Sequence, residues 1–490
     1  MRYDAAIIGA DADGLAAAIM LAKSGLKIIV LERNDRPGGR CITQEFHPGF
    51  YASPFCDEIS PIPAEIFWAL DLARHDALFI PSPVSTALWP DRAKSLRMRE
   101  NRLGAQGTAL AKAALLRAEA DIAREKKSFF SSRVHSHSDP WPGDVWATQS
   151  LTNLLAPDAG DSDSLSLMMA SALEGHLMHP ELAGSALHLL ATGGYGQSVG
   201  GLQGLTASLM AAMQSAGAEI SCGLEVTDIL RRDGRTVGLR LADGSEIAAG
   251  AILSTLDLKR TFLSLFAWND LPGETSRRVA SFRVHGGTAR LLLALDSPPE
   301  RPAFAGADAF AGPIHVAPAT DGIGSAYALW RTGTIAEQLP ITLRLTSLKD
   351  PRLCPIGAAT LTATVDGVPT QLFDGSWTHE KRNALSGQVL AAIERVLPGT
   401  KARVRACELI LPPDMEQALG CTDGDLRGGE IAADQMLAFR PGLSCAAPRT
   451  PIAGLYLAGP STAAGLLATC ASGVFAARAI VADFKAGRLK

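Results

Sequence analysis

The most constraining feature of this chain lies within its first 32 residues, where an apolar run, a glycine turn, an alanine-rich stretch and a second apolar run follow one another. "DAAIIGA" has the continuous apolar character of a strand buried on both faces of a parallel sheet. "GLAAAIMLAKSG" reads as a helix, with Gly25 placed to end it. "LKIIVLERN" is a second buried strand ending in Glu32 and the adjoining Arg33. Strand, turn, helix and strand within about thirty residues make a β-α-β unit, expected to cross over in the right-handed sense. The predicted class is α/β, a Rossmann-like dinucleotide-binding domain. The turn itself departs from G-x-G-x-x-G, because it carries Gly9, Asp11 and Gly14.

Further along, residues from roughly 62 to 185 read as mostly helical, interrupted by the polar loop "SSRVHSHSDPWPGD". "TASLMAAMQSAG" predicts a helix, and Asp233-Gly234 and Asp243-Gly244 predict successive hairpins. A mixed sheet segment is expected from about 286 to 370, then a helix at "EKRNALSGQVLAAIERVL", a buried strand at "GLYLAGP" and a closing helix at "SGVFAARAIVADFKAG". The nucleotide-type motifs sit at both ends and in the middle. That arrangement predicts one unit from residues 1–75, 190–285 and 400–490, and an inserted α+β unit from 76–189 and 286–399.

Composition narrows the function. A net charge of -4 offers no basic stripe for a nucleic acid backbone. The eight cysteines include no C-x-x-C pair, which argues against a zinc site or a disulfide framework and suits a reducing cytoplasm. The chain enters a strand directly after Arg2, so a cleavable leader is not expected, and no apolar run approaches the ~18 residues that span a bilayer. Contact with a membrane surface stays open. No metal is expected: His135 and His137 lie in a polar loop without an acidic or cysteine partner at ligand spacing. His47 shapes a turn before Pro48, and His176 and His179 are placed at i and i+3 on a helix near Glu174. No nucleophile elbow and no P-loop lysine pattern occurs.

The blocks "LERNDRPGGRCITQEFHPGF", "EVTDILRRDGRTVGLRLADG", "GDLRGGEIAADQMLAFRP" and "TPIAGLYLAG", in this order, resemble the phytoene-desaturase-like branch of the FAD-dependent amine oxidoreductase superfamily over nearly the full length. The resemblance implies an FAD domain with an inserted substrate domain and hydride transfer from a hydrophobic, often polyene, substrate to the flavin. It implies that Glu32 binds the adenosine ribose hydroxyls, that Gly38, Gly39 and Arg40 lie along the pyrophosphate and flavin edge, and that Val226 meets the adenine. Gly459, Thr462 and Gly465 match the C-terminal flavin motif of relatives.

Three positions depart from that pattern. Asp11 replaces the glycine that lets the backbone approach the pyrophosphate, and it brings negative charge to the helix N-terminus where the phosphates would sit. At about 4 Å and an effective dielectric near 20, each such charge pair repels by about 4 kcal/mol. The family's His-Pro and two following glycines are here Ala463-Ala464 and Leu466-Leu467, and a histidine common near Gly428 is missing. Two readings follow. In one, the chain binds FAD weakly or not at all and serves as a binding module for a hydrophobic small molecule or as a subunit supporting a protein partner. In the other, it is an active FAD-dependent desaturase or dehydrogenase.

Overall fold

The computed structural model describes residues 2–99, 148–191, 196–267, 269–436, 440–441 and 448–489. His135, His137 and the polar loop around them lie outside the described residues.

The expected β-α-β unit forms at the centre of a seven-stranded sheet. Arg2–Ile8 pairs in parallel with Ile28–Leu31 on one side and Glu246–Ser254 on the other. Glu219–Ser221 continues the parallel pairing beyond Ile28–Leu31. The two Asp-Gly turns join Val226–Arg232, Arg235–Leu241 and Glu246–Ser254 into an antiparallel meander. Leu455–Leu457 adds in parallel to the far half of Glu246–Ser254. The first helix, Ala12–Lys23, packs with Leu202–Ser215 and Ala471–Lys485 on one face of this sheet. A second apolar layer, with Phe262, Phe266 and Val279, covers the other face. Double coverage is what the unbroken apolar strands require.

The second sheet runs in the order Val404–Ile410, Thr288–Leu295, Ala359–Asp366, Ile341–Arg344, Ile314–Val316, Val84–Trp89 and Lys94–Arg99. The helix His379–Val396 contributes Leu385, Val389 and Ile393 to its core. Two expectations change here. Phe79–Pro81, Val84–Trp89 and Lys94–Arg99 are strands where helix was expected, because Val84–Trp89 finds a parallel partner in Ile314–Val316, far away in sequence. Val404–Ile410, assigned from the sequence to the nucleotide-type unit, pairs with Thr288–Leu295 in this second sheet. Among the described residues, no helix is long and apolar enough to cross a membrane.

Candidate functional site

The dinucleotide-type loop is built by close backbone approaches. Gly9 adopts φ +98°, and a Cβ there would lie 2.3 Å from Thr255 Oγ1. A Cβ on Gly14 would lie 2.1 Å from the Gly9 carbonyl oxygen, so the helix meets the strand with no room for a side chain. Asp11 is the N-cap of the first helix: its Oδ1 accepts the Gly14 N–H at 2.8 Å. Burial and the neighbouring charge of Asp13 raise the Asp11 pKa, against the Gly14 hydrogen bond that lowers it. Asp13 accepts the Gly473 N–H of the last helix at 3.1 Å. If the cap is what Asp11 supplies, Asp11→Ala should cost about 1 kcal/mol in urea unfolding and Asp11→Asn much less, since Asn also caps. Equal midpoints for Asp11→Ala and the parent would remove the cap from the account.

The other expected positions gather around this loop. Glu32 is buried and accepts the Ala10 N–H at 2.9 Å and the Asn34 N–H at 3.0 Å. Gly38 donates its N–H to the Ala10 carbonyl at 2.8 Å, and a Cβ on Gly39 would stand 2.8 Å from Asp11 Cβ. Val226 is buried in the apolar layer with Ile29 and Leu31. Arg33 turns away and donates to the Gln417 carbonyl at 2.7 Å. Arg40 donates to the Leu426 carbonyl at 2.9 Å and lines a cavity together with Glu58, Glu174 and Arg344.

The C-terminal motif repeats the same construction. Gly459 takes φ +83°, with a Cβ position 2.6 Å from the Thr255 carbonyl oxygen, so Thr255 is the shared neighbour of Gly9 and Gly459. Thr462 caps the short helix Ala463–Leu467: its Oγ1 donates to the Gly459 carbonyl at 2.8 Å and accepts the Gly465 N–H at 3.1 Å. A Cβ on Gly465 would lie 2.0 Å from the Gly459 carbonyl oxygen. Leu466 and Leu467 are buried with Leu151, Met169, Leu187 and Ile431. Cys470, in the same motif, holds φ +67°, a conformation that favours glycine.

The sequence reading missed the charged groups at and behind the wall of this cavity. Arg290 and Asp57 form an ion pair of 2.6 Å with side chains 1% and 2% exposed. Arg344 binds Glu174 through both terminal nitrogens and reaches Glu58 at 3.4 Å. Burial raises the Glu174 carboxyl, but Arg344 outweighs it and holds it below its usual value. Arg290 and Arg344 interrupt the otherwise apolar runs "TARLLLAL" and "ITLR", and that interruption was the available signal. Nor do His176 and His179 share a helix face. The helix Ser162–Leu173 ends before them, with Glu174 as its C-cap. His176 is buried edge-on to His188 at 5.9 Å, and burial drives its pKa well below the ordinary value; burial lowers His188 to about 4. His47 packs against Phe50 at 5.7 Å.

Nearby, Asp366 accepts hydrogen bonds from Thr288 Oγ1 at 2.7 Å and the Gly175 N–H at 3.0 Å, and burial raises its pKa to about 7. Between the unfolded value near 4 and about 7, the folded state keeps a proton that the unfolded chain has released. Stability therefore falls as pH rises through that window and levels off above it, by at most about 4 kcal/mol from this group. Asp366→Asn should flatten the fall, read as melting temperature between pH 5 and pH 8. A profile as steep as the parent's would assign the dependence elsewhere.

A family model for flavin containing amine oxidoreductases matches residues 14–266, and the chain belongs to this family of FAD-dependent oxidoreductases. It is 26% identical to mouse pyridine nucleotide-disulfide oxidoreductase domain-containing protein 2, over 99% of this chain and 94% of that protein. It is 24% identical to the neurosporene-forming phytoene desaturase of Rhodobacter capsulatus, over 84% of this chain and 81% of the desaturase. Among solved structures it is similar to an oxidoreductase from Methanosarcina mazei, with a TM-score of 0.61, 17% identity and coverage of 98% and 100% of the two chains.

Proposed function

We propose that this chain is a family member whose dinucleotide site holds FAD weakly or not at all, and that it works as a ligand-binding protein or as a subunit supporting a protein partner. The observation that carries this reading is the Asp11 carboxylate hydrogen-bonded to the Gly14 N–H at 2.8 Å. In a flavin protein of this fold those N–H groups face the pyrophosphate. Here they face a carboxylate of the chain itself. The adenosine end fits the cofactor, since Glu32 stands at the strand end with a carboxylate suited to a ribose diol. The pyrophosphate end does not fit, because Asp11 brings bulk and, near neutral pH, partial charge to it. At the other glycine motif, Leu466 and Leu467 are packed into an apolar cluster where relatives keep glycines.

The retained Glu32, Gly38 and Gly39 favour a second reading, an active FAD-dependent desaturase or dehydrogenase with a hydrophobic substrate. The absorbance spectrum of the purified full-length protein separates the two. The first predicts no flavin bands, and near-stoichiometric bands would overturn it.

A further inference from the structure

An apolar side chain that leaves the fold entirely marks a contact with something outside it. Ile356 is the extreme case among the described residues, at 107% exposure, so its side chain rests on nothing in the protein. The backbone fixes it there. Ile356 and Gly357 are the central pair of a turn closed by the Ala358 N–H on the Pro355 carbonyl at 3.0 Å. Gly357 takes φ +84°, the conformation a type II turn requires at its third position. The turn runs directly into the buried strand Ala359–Asp366, and Cys354 Sγ donates to the Ala358 carbonyl at 3.3 Å. An apolar tip is thus mounted on a fixed base.

A second apolar loop stands beside it. The hairpin of Gln44–His47 and Phe50–Ala52 turns at Gly49, where a Cβ would lie 3.0 Å from Pro355 Cγ. Tyr51 projects from that hairpin into solvent, and Leu348 is exposed on the short helix Thr346–Lys349 before the turn. Residues 46–56 and 351–365, which carry these two loops, contain no acidic residue, although the chain as a whole has a net charge of -4. Their permanent charge is Arg352, whose side chain is 61% exposed and meets the buried carboxylate of Asp350 at 2.7 Å. Glu45, just before the first loop, has one oxygen occupied by the Gly49 N–H at 2.6 Å. A projecting isoleucine, a neighbouring tyrosine and an arginine on an acid-free stretch match the layers of a bilayer surface. Apolar tips enter the acyl boundary, aromatic rings sit at headgroup level, and anionic headgroups attract the cation. A protein partner would need a socket shaped for one projecting side chain, whereas a fluid surface needs none. We propose that this pole of the molecule docks on an anionic phospholipid bilayer. The proposal is independent of whether FAD binds.

The test uses the full-length protein and sucrose-loaded vesicles, with sedimentation reporting the bound fraction. Vesicles of phosphatidylcholine mixed with phosphatidylserine should carry the protein down. Phosphatidylcholine alone should bind it about fivefold less tightly, the share of one exposed arginine. Ile356→Ser should weaken binding to the mixed vesicles about tenfold or more, because a fully exposed isoleucine no longer leaves water. Its side chain touches nothing in the fold, so the melting curve of this variant should match the parent's. Phe373→Ser is the control. Phe373 is 85% exposed, but it follows the strand Ala359–Asp366 where Ile356 precedes it, so about 25 Å of strand separates the two ends. Binding by Phe373→Ser should equal the parent's. Absence of binding to mixed vesicles, equal binding to both kinds, unchanged binding by folded Ile356→Ser, or an equal loss in Phe373→Ser would each overturn the proposal. So would a lipid-free dimer in gel filtration that Ile356→Ser dissociates, since the pole would then be an interface between two copies.

Discussion

Asp11→Gly alone is expected to leave the protein without tightly bound FAD. The substitution removes the Asp11 side chain, whose raised pKa of about 7 leaves it partly charged near neutral pH, from the loop where the phosphates would sit. It also opens space against Gly39, which now faces Asp11 Cβ. Leu466 and Leu467 stay where they are, and they are 2% and 5% exposed inside an apolar cluster. Replacing only those two leucines by glycine should fail as well, because the Asp11 side chain persists at the first loop. The combined variant should bind FAD measurably, since Glu32, Gly38 and Gly39 hold the rest of the cofactor. Two regions that contact one ligand are expected to couple in this way. Removing buried leucines costs about 2–5 kcal/mol each, so a melting curve must accompany every titration. Full rescue by Asp11→Gly would show that the C-terminal changes do not matter, and tight binding by the parent would end the argument.

The largest stability effect should come from the charges behind the cavity wall. Arg290→Met leaves Asp57 almost wholly buried without its ion-pair partner, keeping the Thr362 hydroxyl at 2.9 Å and the more distant charges of Arg344 and Lys349. Breaking a buried pair from one side costs about 3–5 kcal/mol, whereas replacing both members by apolar groups is often neutral or stabilising. Arg290→Met with Asp57→Leu should therefore recover most of what Arg290→Met loses, a coupling of several kcal/mol in a double-mutant cycle. Urea unfolding of the four proteins measures it. A double variant no more stable than Arg290→Met would mean that the carboxylate is solvated in the folded protein.

What could be read from the sequence was what depends on short range. The helix at Ala12–Lys23, the two Asp-Gly hairpins and the final helix each announce themselves by local periodicity and turn chemistry, and the Asp11 cap follows from one residue type beside a helix start. The order of blocks carried the family. Val84–Trp89 was not legible as a strand, because its parallel partner Ile314–Val316 is supplied from distant sequence. The same holds for the charges. Asp57 and Arg290, or Glu174 and Arg344, are far apart along the chain, and nothing in either neighbourhood names its partner. The placement of Glu174 and His176 failed for a local reason, since the helix stops at Leu173.

The contact between the first and last helices bears on how the chain can be made. A Cβ on Gly473 would lie 1.9 Å from the Asp13 carbonyl oxygen, so Ala471–Lys485 is seated directly on Ala12–Lys23. The surface which that helix covers is translated well before its cover. At about 5–20 residues per second, the ribosome leaves the first helix uncovered for roughly 25–100 s. Among the described residues, the strands of the second sheet all lie at or before Ile410, so they are made before the cover of the first helix. A chain interrupted before Ala471 should therefore leave exposed the face of Ala12–Lys23 that Ala471–Lys485 covers.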